Sequence, residues 1–255
     1  MHSIQLKNIS KKYNIYDRPT DRLRELLYRN RRSFHREFWA LNDVSFNVER
    51  GDSVALLGPN GSGKSTLLQI VAGVLRPTRG SILAKGRITS ILELGSGFQP
   101  EYSGRENVIL NGVILGIPEM EIRRRLDEIA DFAEVGDFFD QPIRTYSSGM
   151  VIRLAFASMI NVDPEILVID DAMAVGDRRF QLKCLDKIRD LRSRGTTMLF
   201  VSHDPKMVLK YCQNAVLLNG GEMLMKGPVE EVVPAYEELM SEQGVVAKKV
   251  FVEAR

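Results

Sequence analysis

Residues 4 to 9, IQLKNI, alternate apolar and polar positions, and the same rhythm returns in FNVERGDSVALLG. Both stretches predict short strands, so the chain opens as sheet. Three runs, SVALLG, EILVID and TTMLFVS, are apolar without alternation and are separated by helical patterns. Strands covered on both faces read this way, which predicts a parallel sheet with crossover helices and an α/β class. Towards the C-terminus AVLLNGGEMLMKG sets Asn219, Gly220 and Gly221 between two apolar runs, which predicts a hairpin whose turn needs positive φ. From about residue 100 to 165 the period changes. Pro118 opens a stretch in which Ile122, Leu126, Ile129 and Ala133 recur at helical spacing, predicting a helical lobe inserted into the sheet. Residues 20 to 34 also read as a helix, capped by Thr20 or Asp21, with Leu23, Leu27 and Phe34 along one stripe between arginines.

A chain of 255 residues, 44% hydrophobic, suffices for one substantial core, divided at most into lobes around a cleft. No apolar run reaches the roughly 18 to 20 residues of a bilayer crossing, and MHSIQLKN lacks the apolar core of a secretory signal. If the chain serves transport, another chain must form the channel. Cys184 and Cys212 lie far apart without neighbouring ligands, which fits neither a disulfide framework nor a zinc site and predicts buried thiols in a reducing compartment. Net charge is +2, yet residues 18 to 37 hold seven arginines against Asp21, Glu25 and Glu37. Such a basic segment suits phosphates or lipid head groups.

Gly58 to Thr66 reads GPNGSGKST directly after an apolar strand, the context a phosphate-binding loop requires before its helix. Gly58, Pro59, Asn60, Gly61, Ser62, Gly63, Lys64, Ser65 and Thr66 are therefore the candidate phosphate contacts. Glycines let the amides face the phosphates, the helix adds its positive end, and Lys64 reaches the β and γ phosphates. Ser65 is a candidate magnesium ligand, with Asp170 at the end of EILVIDD as the second.

With these elements placed, TYSSGM at 145 to 150 resembles the signature motif of ABC ATPases, a likeness covering roughly residues 1 to 237. The other motifs follow in that family's order: Gln99 in GFQP, Asp170 and Asp171, Ala174 to Asp177 in AVGD, and His203 in VSHD. The resemblance implies a P-loop ABC ATPase domain with a mainly parallel core sheet, an antiparallel β-subdomain and an inserted α-helical subdomain. It also implies ATP and Mg2+ as ligands. Ser147, Ser148 and Gly149, at a helix start, resemble the residues that bind the γ phosphate held by the opposite subunit, and Asp177 resembles a dimer contact beside it. One chain then completes no site, and a second copy is the implied partner. Gln99 resembles the residue that senses the γ phosphate and attacking water, contacts the magnesium and links the cleft to the membrane subunit, His203 the switch histidine, and Tyr13 the aromatic that stacks on adenine. Tyr13 as a core or surface residue, and Phe38 and Trp39 packed beneath the insertion, remain open alternatives. Asp171 stands where most active members carry the glutamate that polarises the attacking water, and this shorter carboxylate predicts slow hydrolysis.

YSSGM, LELGSGFQPEYSGRENV and a basic, gate-helix-like insertion at 14 to 39, read as interrupting the early sheet, resemble the exporters of lipid-linked bacterial polysaccharides, of O-antigen, teichoic acid or capsule type. That branch implies a multispanning transmembrane subunit, a lipid-linked polysaccharide substrate and a place at the cytoplasmic face of the bacterial inner membrane. Residues 238 to 255 read as a tail beyond the nucleotide domain. An ABC ATPase acting on nucleic acid is the competing class, disfavoured because no coiled-coil insertion is present and the GFQP turn is transporter-like. A nucleotide-gated switch rests on Asp171 alone.

Overall fold

The computed structural model describes residues 2–27, 33–91, 94–95, 97–170 and 176–253, with Leu26 and residues 242–253 described by backbone alone. Asp171, Ala174, Arg29, Arg31 and Arg32 lie outside the described residues.

In chain order the elements begin with β1 (His2–Tyr16), α1 (Pro19–Leu27), β2 (His35–Glu49), β3 (Ser53–Leu57), α2 (Lys64–Val71), β4 (Arg79–Ala84) and β5 (Ile88–Ser90). Four helices follow: α3 (Gly104–Ile114), α4 (Glu119–Arg124), α5 (Leu126–Ala133) and α6 (Ser148–Ile160). The chain then returns to β6 (Ile166–Ile169), α7 (Arg178–Ser193), β7 (Thr197–Val201), α8 (Pro205–Tyr211), β8 (Asn214–Asn219), β9 (Glu222–Pro228) and α9 (Val229–Glu253). One sheet runs β5-β6-β7-β3-β8-β9, parallel except for β9; the other, β2-β1-β4, is antiparallel.

The uninterrupted apolar runs have a direct cause. Along β3, Val54 and Leu56 face a core shared with α2 and the antiparallel sheet, while Ala55 and Leu57 face a second core built with the helices. β6, β7 and β8 divide in the same way, so the apolar residues of these strands are buried on both faces. Helices α3 to α6 leave the sheet after β5 and return at β6, although Ile88 pairs directly with Ile166. Ile122, Leu126, Ile129 and Ala133 are all buried, but on two helices, because the chain breaks at Arg125, whose guanidinium donates to Asn161 O (2.9 Å) and Asp163 (2.7 Å). The Asn219–Gly220–Gly221 hairpin forms with both glycines at positive φ. Both cysteines are buried and free, and burial pushes each thiol up to about 12.

The basic insertion departs from its expectation in three respects. It does not interrupt the sheet: Asn14, Ile15 and Tyr16 still pair with Glu37, Arg36 and His35, so the helix sits on the tip of an extended hairpin. The helix begins at Pro19, placing Thr20 and Asp21 inside its first turn rather than at its cap. Its inward face is acidic, since Asp21 and Glu25 are buried whereas Leu23 and Leu27 are 64% and 81% exposed. The reason is a polar anchor: Glu25 accepts from His35 Nδ1 (2.8 Å) and Phe34 N (3.3 Å), and the His35 bond holds its carboxyl below the usual carboxylate range. His35 thus anchors the helix to the returning strand. At the other end, α9 continues to Glu253, so the backbone of residues 238 to 253 is helical.

Candidate functional site

In the order β6-β7-β3 the strands lie side by side, and the segments leaving their C-terminal ends carry Asp170, His203 and the glycine-rich loop. These three meet at one cavity of ≈ 250 Å³, whose lining includes Lys64, Ser65, Thr66, Asp170 and His203. Asn60, Gly61 and Gly63 complete its loop wall, and Tyr13, Phe38, Ala40 and Val201 also line it.

The loop is shaped by close packing. Gly58 has φ +147, and a β-carbon there would lie 2.1 Å from Leu218 O and 2.6 Å from Ser62 Oγ. Gly221 N donates to Ser62 O (3.2 Å) and Asn42 N to Gly221 O (2.8 Å), so the β8–β9 turn and β2 hold the loop. Gly61, at φ +80, has open space around its missing β-carbon. Gly58→Ala is therefore expected to destabilise by ~3 kcal/mol or more, and Gly61→Ala by only about 1 kcal/mol of left-handed strain. Urea unfolding of the two variants checks that order.

Gly63 precedes α2 in a left-handed conformation, and no side chain caps the helix, so the first-turn amides point where an anion binds. Lys64 is 7% exposed, and its ammonium donates to Gly58 O (2.7 Å) and Pro59 O (2.9 Å), bracing the loop. The Ser62 hydroxyl is buried beneath Gly58, leaving its backbone for a ligand. Gly58 and Pro59 likewise shape the loop without lining the cavity.

Tyr13 and Phe38 are direct cross-strand partners and so share one face of the hairpin, at the rim of the cavity. Phe38 lines the cavity, whereas the sequence left its packing beneath the insertion open. Trp39, on the opposite face, lies under Arg79 of β4 (5.3 Å from the ring centroid). Finding Phe38 from sequence would have required the strand register.

Ser147, Ser148, Gly149, Asp177 and Gln99 do not line the cavity. Ser147 caps α6, its Oγ accepting from Met150 N (3.2 Å), with Ser148 and Gly149 in the first turn. Ser147 and Ser148 are exposed. Asp177 caps α7, accepting from Phe180 N (2.9 Å). Gln99 is exposed in a turn whose amide donates to Asn107 Oδ1 (2.6 Å).

Residues 41–174 match the protein family described as ABC transporter. An O-antigen export system ATP-binding protein, RfbB, of Klebsiella pneumoniae is 42% identical over 242 residues, covering 93% of this chain and 98% of that protein. The chain belongs to the ABC transporter family. It is an ATP-binding ATPase subunit of that family. Other similar proteins are the ABC transporter protein AbcA of Aeromonas salmonicida (45% identical; 94% of this chain, 78% of that one) and the teichoic acids export ATP-binding protein TagH of Bacillus anthracis (39%; 94% and 43%). The ABC fold is also that of a solved dimeric cassette, MJ0796 bound to ADP and Pi, at TM-score 0.70 and 22% identity, covering 89% of this chain and 98% of that one. Among the described residues of this ABC subunit, no helix is long and apolar enough to cross a membrane.

Proposed function

We propose that this ABC subunit binds MgATP in the cavity at the ends of β3, β6 and β7. Two copies close around two nucleotides, and hydrolysis drives export of a lipid-linked polysaccharide through a separate multispanning subunit at the inner membrane. One observation carries the reading. Lys64, Ser65, Asp170, His203 and Tyr13 surround one cavity, while the helix start bearing Ser147 to Gly149 lies outside it and faces solvent. A site built this way is complete only when a second chain presents its own signature helix.

The division of labour follows from chemistry. Tyr13 and Phe38 offer π-faces to the base, and the uncapped α2 amides with Lys64 take the phosphate charge. The Ser65 hydroxyl and Asp170 carboxylate are hard oxygen donors on the same cavity, and two such ligands suit a magnesium ion otherwise bound by water and phosphate. Bound there, the ion would neutralise phosphate charge. His203 reaches the terminal phosphate from the end of β7, and Asp171 is the carboxylate that orients the attacking water. Domain assignment follows the same reading: residues 1–237 form the nucleotide domain, with 14–39 as its basic insertion and about 100–165 as its helical lobe.

The polysaccharide class is supported by the O-antigen and teichoic acid export relatives and by the hairpin-borne helix. Arg18, Arg22, Arg24 and Arg36 are exposed around it, suited to a pyrophosphate-linked lipid. Replacing these four with glutamine should leave the ATPase of the purified chain within about twofold, because the cavity is built by other residues. Surface display of the glycan should fall at least about tenfold, given ~1 kcal/mol per charge near an anionic surface. Parental display at equal protein abundance would assign the insertion to a solvated surface.

A further inference from the structure

Asn107, the fourth residue of α3, is 1% exposed and spends its whole amide on the turn that carries Gln99. Its Oδ1 accepts from Gln99 N (2.6 Å), and its Nδ2 faces three carbonyls, Gln99 O (3.0 Å), Tyr102 O (3.1 Å) and Ser103 O (2.9 Å). Two N–H groups shared among three acceptors imply a three-centred bond, an arrangement only a neutral amide in this orientation supplies. Ser103 caps the same helix in a capping box with Glu106, so the turn is closed from both ends.

The turn is also laced to the segment before the signature. Arg144 N donates to Pro100 O (3.0 Å), Ile143 N to Tyr102 O (2.9 Å) and Gly104 N to Gln141 O (3.2 Å). Ser103 and Pro142 form an isolated antiparallel bridge, and Ser147 follows shortly after along the chain. The remaining candidate catalytic groups leave the ends of β3, β6 and β7 instead. Gln99 is therefore fastened to the helical lobe, and through its backbone to the strip that ends in the signature.

We propose that Asn107 is the positioning residue of Gln99: it fixes that turn to α3, so Gln99 and the signature helix approach nucleotide as one body. The proposal rests on the reading of Gln99 as the residue that senses the terminal phosphate. Asn107→Asp tests it, because aspartate keeps the size and the acceptor for Gln99 N but turns a carboxylate oxygen towards three carbonyls.

In the full-length chain, amide hydrogen exchange over residues 98–104 is expected to quicken roughly tenfold in N107D, with the phosphate loop unchanged. Turnover should fall roughly 10- to 100-fold, as a misplaced catalytic group costs, while affinity for a fluorescent ATP analogue stays within about twofold. In a Gln99→Ala background, N107D should cost almost nothing further, since its target is already gone. Unchanged exchange in the 98–104 peptide, or a full additional loss on top of Gln99→Ala, overturns the proposal. Parental turnover in Gln99→Ala alone would instead overturn the reading of Gln99, and the exchange result would still decide whether Asn107 holds the turn. Should N107D fold poorly, Asn107→Ser, which is uncharged and too short to span the turn, is held to the same criteria.

Discussion

Lys64→Ala is expected to lower ATP turnover by at least about 100-fold, with nucleotide binding weakened in parallel. The ammonium sits at the mouth of α2, 2.7 Å from Gly58 O and 2.9 Å from Pro59 O, among the residues lining the cavity. A phosphate chain brought there meets a fixed cation that is already largely shielded from water, since Lys64 is buried against the loop carbonyls. Removing it deprives the α2 amides of the cation that shares the phosphate charge with them. The bonds from Lys64 to the loop carbonyls are lost, but Gly58 against Leu218 and the Gly221–Ser62 bond, which the substitution does not touch, still hold the loop. The melting temperature should consequently move by only a few degrees, on the order of 1 kcal/mol. Phosphate release and binding of a fluorescent nucleotide analogue, measured on the same preparation, check both halves; near-parental turnover would remove Lys64 from the site.

Ser147→Arg should weaken nucleotide-driven dimerisation at least tenfold, about 1.4 kcal/mol, while the monomer remains folded. Ser147 is exposed and contributes one cap to α6, the bond from Met150 N, so loss of the cap costs roughly 1 kcal/mol of stability. Steric bulk on the signature face is what the dimer cannot accommodate. Cap loss and interface loss are separated by Ser147→Asp, since aspartate is an equally good cap but sets a negative charge where the partner's phosphate should arrive. Light scattering with ATP in an Asp171→Asn background, chosen to slow hydrolysis, is expected to show monomers for both variants. A stable dimer of the aspartate variant would mean that Ser147 matters only as a helix cap.

Much of the site was legible because its signals are local. GPNGSGKST after SVALL specifies a strand, a tight turn and a helix start within a few residues, and the structure places that loop against the cavity. The two-sided burial of β3, β6, β7 and β8 was equally plain, since a strand with no polar face has only one kind of environment. Asp170 and His203 inherit their positions from the ends of such strands.

The basic helix was misjudged for a corresponding reason. Leu23 and Leu27 sit at helical spacing, and periodicity predicts an apolar face without saying which face the tertiary structure buries. Here His35, delivered by the returning strand β2, pairs with Glu25 and turns the acidic side inward. Phe38 stayed an open alternative because its place beside Tyr13 depends on the register of two strands joined only through the whole insertion.

By itself, then, the sequence determined what depends on neighbouring residues: the phosphate loop, the buried parallel strands, the Asn219–Gly221 hairpin and the helical period of the inserted lobe. The tertiary structure decided what depends on long-range pairing. It turned Glu25 inward and Leu27 outward, set Phe38 opposite Tyr13, folded Ser62 beneath Gly58, and tied Gln99 to Asn107 rather than to the sheet. The physical reason is that backbone conformation and hydrophobic period are encoded within a few residues, whereas the partner of a buried polar group is fixed only when distant segments meet.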